Sequence, residues 1–264
     1  MFDKTELLEN LFIKYDIANL VHGKKEDKLG DVMEEYCVSI LKSKKILEKY
    51  KNNSLNLNNT DEYIFYHLLK KFNIDINSIL YIDATTKIQH RFTGGNPKTD
   101  IITEIHTNSA EVITIPFSVK SSTARKVAMA EFDVDTIVNE VGITNVELKR
   151  LLLKHQLDAS AKNFSHDEKQ LLRKYLSPYA KNFVKWVLTG TTKENEDLRY
   201  PRYIIKFSLT KQDEIKDIKV YTIEEFVNTI MLDKNLNPKK GGFGTGLGWT
   251  YATGSKGKKI QFKG

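Results

Sequence analysis

"DIITEIHTNSAEVITIPFSVK" (residues 100–120) consists of two runs rich in β-branched residues, 100–107 and 111–120, joined at "NSA" (108–110). Two strand-like runs joined by a short polar break predict an antiparallel hairpin. Folding at the break returns Asp100 to the region of Phe117 to Lys120. Alternation along the second strand puts Ile113, Ile115, Phe117 and Val119 on one face, and Thr114, Pro116, Ser118 and Lys120 on the other. Ser118 and Lys120 therefore share a face at the strand end that Asp100 rejoins. Pro116 has no N–H for a ladder and suggests an edge strand or a bulge.

An aspartate, a second polar oxygen and a lysine gathered at a strand end make a metal site beside a cation. Asp100 suits Mg²⁺, which takes few protein carboxylates and keeps much of its hydration, with the backbone carbonyl of Val119 as a further ligand. A divalent cation acidifies a water for attack on phosphorus, while Lys120 orients it and offsets charge on the phosphoryl oxygens. The chemistry implied is phosphodiester hydrolysis. On spacing alone, an ordinary solvent-facing hairpin in a lysine-rich chain explains the same residues. Flanking polar loops point the same way as the site: "RFTGGNPKTD" (91–100) places Gly94, Gly95 and Pro97 in a turn open to a phosphate. After the lysine, Ser121, Ser122, Thr123, Arg125 and Lys126 are ordinary phosphate-contacting types.

Outward from the hairpin, further strands are expected at 79–83, 202–210 and 218–222. Spacings of three and four predict helices near 3–15, 28–43, 61–72, 145–156, 166–176, 179–189 and 223–232. Thr144 with Glu147, Ser165 with Glu168 and Thr222 with Glu225 match the capping box that opens a helix. The Asn-rich 52–59 is a surface loop. Strands enclosed by helices imply an α/β or α+β fold, with no linker long enough to force a domain split, so residues 1–264 are expected to form a single domain.

The 264 residues carry a formal charge of +7, and all of it is local. After Asp233 come seven lysines and no acid; the 34 basic residues left elsewhere balance the 34 acids. A basic segment of this kind (234–264) concentrates polyanions such as nucleic acid. Trp249, Tyr251 and Phe262 within it argue against a disordered solubilising tail and are assigned to packing it onto the body. The lone Cys37 excludes an internal disulfide and fits a reducing compartment. The acidic N-terminus and the lack of any run of about 18 apolar residues imply an unprocessed, soluble, cytoplasmic protein with no membrane partner. "GGFGTGLGW" lacks G-x-G-x-x-G spacing, and "GSKGKK" lacks the first glycine of a P-loop. The six histidines show no paired-ligand spacing; His155 is the candidate among them for DNA contact.

The blocks "GGNPKTD", "SVKSS", "AEFDVDTIVNEVGIT", "KHQLDASAK" and "FGTGLGWTYATGSKGKKIQFKG" resemble the MspI family of type II restriction endonucleases over most of the chain. The resemblance implies a restriction-endonuclease-like fold, a mixed α/β sheet flanked by helices, with Asp100 as metal ligand and Lys120 as catalytic lysine. It implies Mg²⁺ as cofactor, double-stranded DNA cut at a short palindrome such as CCGG, and a methyltransferase acting on the same site without physical contact. The chain departs from the family pattern at Ser118 and Gly248, where the family has Asn. Ser118 is a poorer metal ligand but still a hydrogen-bonding partner in catalysis. Glu35, in "KLGDVMEEYC", is the candidate extra carboxylate. In the tail, Thr250, Thr253, Ser255, Gln261 and Lys263 are expected at base edges or phosphates, and Lys256, Lys258 and Lys259 at phosphates. Alternatives stay open: a DNA-binding protein of this fold without cleavage, another CG-centred site, and action as a monomer or a dimer.

Overall fold

The computed structural model describes residues 4–90, 96–192, 197–232 and 242–264, with the side chains of residues 22 and 23 left aside. Along the chain come α1 (Glu6–Lys14), α2 (His22–Leu41), α3 (Lys44–Lys51), α4 (Thr60–Phe72), β1 (Ile79–Thr85), β2 (Ile101–Thr107) and β3 (Val112–Ser122). Then follow β4 (Ala128–Phe132), α5 (Val134–Val141), α6 (Val146–Leu157), α7 (His166–Leu176), α8 (Ala180–Thr189), β5 (Tyr203–Leu209) and β6 (Ile215–Thr222). Last are α9 (Ile223–Leu232), β7 (Gly248–Thr250) and β8 (Ile260–Lys263). The chain divides into two compact units, Met1–Arg125 with Glu196–Thr222 and Lys126–Asn195 with Ile223–Gly264. No helix among the described residues is long and apolar enough to cross a membrane.

The first unit is built on a five-stranded sheet in the order β1-β2-β3-β5-β6. β3 pairs antiparallel with β2 and parallel with β5, so the sheet is mixed. A parallel pair needs a long crossover, and the segment between β3 and β5 supplies it. The expected hairpin forms with Ile101 opposite Phe117. Ile101, Ile105, Ile115, Phe117 and Val119 are buried with Val32, Met33 and Tyr36 of α2 and with Phe65, Leu68 and Leu69 of α4. Deleting a ring such as that of Phe117 from this core would cost about 3–5 kcal/mol. The expectation that Pro116 marks an edge is corrected: β3 is the central strand. Pro116 is tolerated one residue before the pairing with β5 begins, where its carbonyl accepts from the Arg202 N–H at 2.9 Å.

The second unit holds the three-stranded antiparallel sheet β4-β8-β7 and helices α5 to α9. Ser165 and Glu168 close the expected capping box at α7. At α6 the cap is Asn145, whose side chain accepts from the Leu148 N–H, and not Thr144. Asn caps as well as Thr and sits one residue nearer the helix, so its amide wins. The glycines of the tail serve the packing of this unit. Gly242, Gly244 and Gly246 all have positive φ, and the residues between and beside them, Phe243, Thr245 and Leu247, are buried. A Cβ at Gly246 would overlap the carbonyl oxygen of Ile230 on α9, so glycine there serves close backbone packing within the protein.

Candidate active site and DNA interface

Three donors converge on one oxygen of Asp100. Its Oδ2 accepts from Ser118 Oγ at 2.5 Å, from the Val119 N–H at 2.8 Å and from Lys120 Nζ at 3.0 Å. The hairpin register makes this possible: the Asp100 N–H bonds the Phe117 carbonyl at 3.0 Å, which holds the carboxylate against the next three residues of β3. The loop before it is fixed too, with the Lys98 and Thr99 N–H groups on the Arg199 carbonyl at 3.1 and 3.2 Å. Gly94 and Gly95, expected in the phosphate-facing turn, lie outside the described residues. Oδ1 of Asp100 takes part in none of the three bonds. Ser118 is buried and spends its hydroxyl on Asp100, which makes it a positioning group for the carboxylate.

The helix carboxylate that feels the charges of Asp100 and Lys120 is Glu34, whereas the expected Glu35 is held elsewhere. Burial, reinforced by the charge of Asp100 and partly offset by Lys120, pushes the Glu34 carboxyl up to about 8. Glu35 turns instead to α1, where its carboxylate takes Lys14 Nζ at 2.5 Å and the Tyr15 hydroxyl at 2.7 Å. The Lys14 ammonium holds Glu35 below the usual carboxylate range. Neighbours in sequence point about 100° apart on a helix, so the two carboxylates face different surroundings. Burial and the charge of Asp100 both disfavour ionisation of Glu34, and a bound cation would offset both, so the pair beside a lysine is suited to a cation. That donor chemistry fits a hard divalent metal, although the described residues form no cluster of three His, Cys, Asp or Glu.

Beyond Lys120 the strand continues through Ser121 and Ser122, and the Ser122 hydroxyl accepts from the Ala124 N–H at 2.9 Å. The Arg125 carbonyl accepts from Lys206 Nζ at 3.2 Å. Lys126, in the second unit, donates to the Gly246 carbonyl.

In the second unit the tail splits into two parts. Its glycine-rich half packs inward, as described, and Trp249 and Phe262 carry the packing on. Trp249 stands 5.9 Å from Phe183 and 5.3 Å from Phe262 between ring centres, as the packing role expected for these aromatics requires. His155 is part of that layer and is no surface residue: it is buried, and Tyr251 donates its hydroxyl to the His155 carbonyl at 2.6 Å. Burial lowers the His155 pKa to about 4, so it is neutral at pH 7. The other half of the tail displays polar groups. Alternation on β8 turns Ile260 and Phe262 inward and leaves Gln261 and Lys263 half-exposed. Gln261 lies across from Thr250 on β7 and Glu131 on β4, while Lys263 lies between Gly248 and Ala128, which leave its stem uncrowded. The β7–β8 loop exposes Thr253, Lys256, Lys258 and Lys259, and Ser255 bonds Glu131. Lys234, Lys239 and Lys240 lie outside the described residues.

A mixed sheet flanked by helices, with an aspartate and a lysine brought together at the end of its central hairpin, is a restriction-endonuclease-like fold. The family model of restriction endonuclease MspI matches residues 9–264, and the chain belongs to that family. The type II restriction enzyme MspI of Moraxella sp. is 36% identical over 99% of this chain and 100% of its own. The type II restriction enzyme BsuFI of Bacillus subtilis is 26% identical over 93% of this chain, which spans 61% of that enzyme. A crystal structure of MspI in complex with its cognate DNA matches with a TM-score of 0.87, at 36% identity, covering 99% of this chain and 100% of that one. The protein is a type II restriction endonuclease.

Proposed function

We propose that this endonuclease uses Mg²⁺ to hydrolyse both strands of duplex DNA at CCGG, with its two units acting as one nuclease domain. The observation that carries the reading is the convergence of Ser118, Val119 and Lys120 on Asp100 Oδ2, which leaves Oδ1 for a cation. Asp100, the Val119 carbonyl and Glu34 would hold the metal. The metal supplies charge compensation and a more acidic water for in-line attack on phosphorus. Lys120 orients the attacking water and offsets the charge that grows on the phosphoryl oxygens as the P–O3′ bond breaks. Ser118 keeps Asp100 from rotating away.

Recognition falls to the polar face of the small sheet and its loop. Lys263 suits guanine O6 and N7, and Gln261 with Thr250 and Thr253 suits the remaining base edges of an all-G·C site. Ser121, Ser122, Arg125, Lys126, Ser255, Lys256, Lys258 and Lys259 serve the phosphates. Supporting this assignment are the resemblance of "WTYATGSKGKKIQFKG" to the family and the partial or full exposure of these side chains. A methyltransferase acting on the same sequence would guard the host's DNA, in the cytoplasm, without touching this protein. The test is incubation of the protein with Mg²⁺ and a sequenced plasmid, followed by mapping of the ends. Ends at CCGG are expected; an intact CCGG beside cutting at another site would overturn the specificity, and no cutting would overturn the assigned catalytic group.

A further inference from the structure

The tail itself holds no carboxylate, yet the small sheet brings one to its middle. Glu131 of β4 lies directly across from Gln261 of β8, and Thr250 of β7 lies on the other side. Gln261 Nε2 donates to Glu131 Oε1 at 2.8 Å, and Thr250 Oγ1 donates to Gln261 Oε1 at 3.0 Å. Ser255 Oγ donates to Glu131 Oε2 at 3.1 Å, so the carboxylate is itself held at both oxygens.

The two partners of Gln261 are not equivalent. A hydroxyl can donate or accept, so Thr250 would serve either end of the amide equally well. An ionised carboxylate only accepts, so Glu131 admits the NH₂ end and rejects the carbonyl end. The polarity of the Gln261 amide is thus set by Glu131. A glutamine in a groove reads a donor–acceptor pattern, and flipping its amide inverts that pattern. Held as it is, Gln261 keeps one N–H and one lone pair of Oε1 for a base, in a fixed order and with its side-chain entropy already spent.

Resting on the assignment of Gln261 to base reading, we propose that Glu131 is the positioning residue for sequence specificity: it fixes the amide of Gln261 before DNA arrives. The geometry gives the carboxylate a role at the reading head without requiring it to touch DNA.

The test measures a discrimination ratio, the rate of cleavage of the mapped cognate duplex against each duplex with one substituted base pair. It is made for wild type, Glu131→Gln, Gln261→Ala and the double variant. Glu131→Gln keeps the shape but lets Gln261 sit either way round, so the ratio should fall by roughly tenfold at one base pair, and no further in the Gln261→Ala background. Nitrogen-15 NMR of the free protein gives a reading that needs no DNA: the Gln261 side-chain amide should move to the position of an exposed glutamine in Glu131→Gln. A wild-type ratio in Glu131→Gln while Gln261→Ala loses it would overturn the inference, as would a further fall in the double variant or an unmoved amide signal. If Gln261→Ala keeps the wild-type ratio, the base-reading role of Gln261 falls first, and this inference with it.

Discussion

Ser118 donates its hydroxyl to Asp100 Oδ2 across 2.5 Å, and the direction of that bond defines the serine's part in the site. A buried hydroxyl that gives its proton to the carboxylate holds it in place and leaves the other oxygen clear. Ser118→Ala removes one of three donors and leaves Val119 and Lys120. Cleavage should fall roughly 10–100-fold, as when a supporting hydrogen bond to a metal ligand is removed. Asp100→Ala and Lys120→Ala should each cost roughly 100-fold or more in single-turnover rate while specific binding survives. Cleavage within about tenfold of wild type in either of these would remove the assigned site.

Glu34 and Glu35 should separate cleanly in a cleavage assay. Glu34→Gln removes a carboxylate that Asp100 and Lys120 both feel, so cleavage should fall roughly 10–100-fold and more divalent metal should be needed to reach half-maximal rate. Glu35→Gln breaks only the bonds with Lys14 and Tyr15, which as a surface pair are worth about 0–1 kcal/mol, and cleavage should hold. The opposite ranking would return the metal site to Glu35.

His155 sets a pH dependence for folding. Its pKa falls from about 6.5 to about 4 on folding, so the unfolded chain binds the proton more readily between those values. Stability from this group is complete above pH 6.5 and is lost as pH falls toward 4, at up to about 1.4 kcal/mol per pH unit. Urea unfolding at pH 7 and pH 5 should show the decline, and His155→Phe should flatten it.

Two glycines of the tail should respond oppositely to substitution. Gly246→Ala forces a methyl into the Ile230 carbonyl at a positive φ and should lower the melting temperature by several degrees. At Gly248 a Cβ would stand 3.5 Å from Lys263 Cβ and 3.7 Å from Lys126 Cδ, ordinary van der Waals distances. Gly248→Asn should fold normally and alter base preference beside Lys263. Equal melting temperatures for the two variants would show the packing at Gly246 to be loose.

The loop lysines should act through charge alone. Replacing Lys256, Lys258 and Lys259 with alanine should reduce the slope of log affinity against log salt by about 0.9 for each phosphate no longer neutralised. The preferred site should stay the same; a changed preference would make them base readers.

The central hairpin is legible in the sequence because β alternation is strict: the face shared by Ser118 and Lys120, and the return of Asp100, follow from a period of two. The register with β5 is not, since a parallel partner so distant along the chain leaves no local mark. Glu34 and Glu35 are chemically identical in sequence, and helix phase alone divides them. Residues 248–250 and 260–263 are too short to show a strand pattern, so the small sheet, and with it the pairing of Glu131 with Gln261, stays hidden. The role of the tail glycines is not legible either, because a glycine run shows that a side chain is missing and not which backbone needs the space.

The crossover between β3 and β5 has a consequence for exchange of recognition parts between related enzymes. The second unit is made of two stretches, Lys126–Asn195 and Ile223–Gly264, separated in the chain by β5 and β6 of the first. No single cut in the gene releases it. A graft that carried only the tail would bring β7 and β8 but leave β4, and Glu131 on it, with the recipient. If the second unit reads the bases as proposed, a chimera should inherit a donor's preference only when both stretches come together, joined at Arg125, at the entry to β5 and at Thr222.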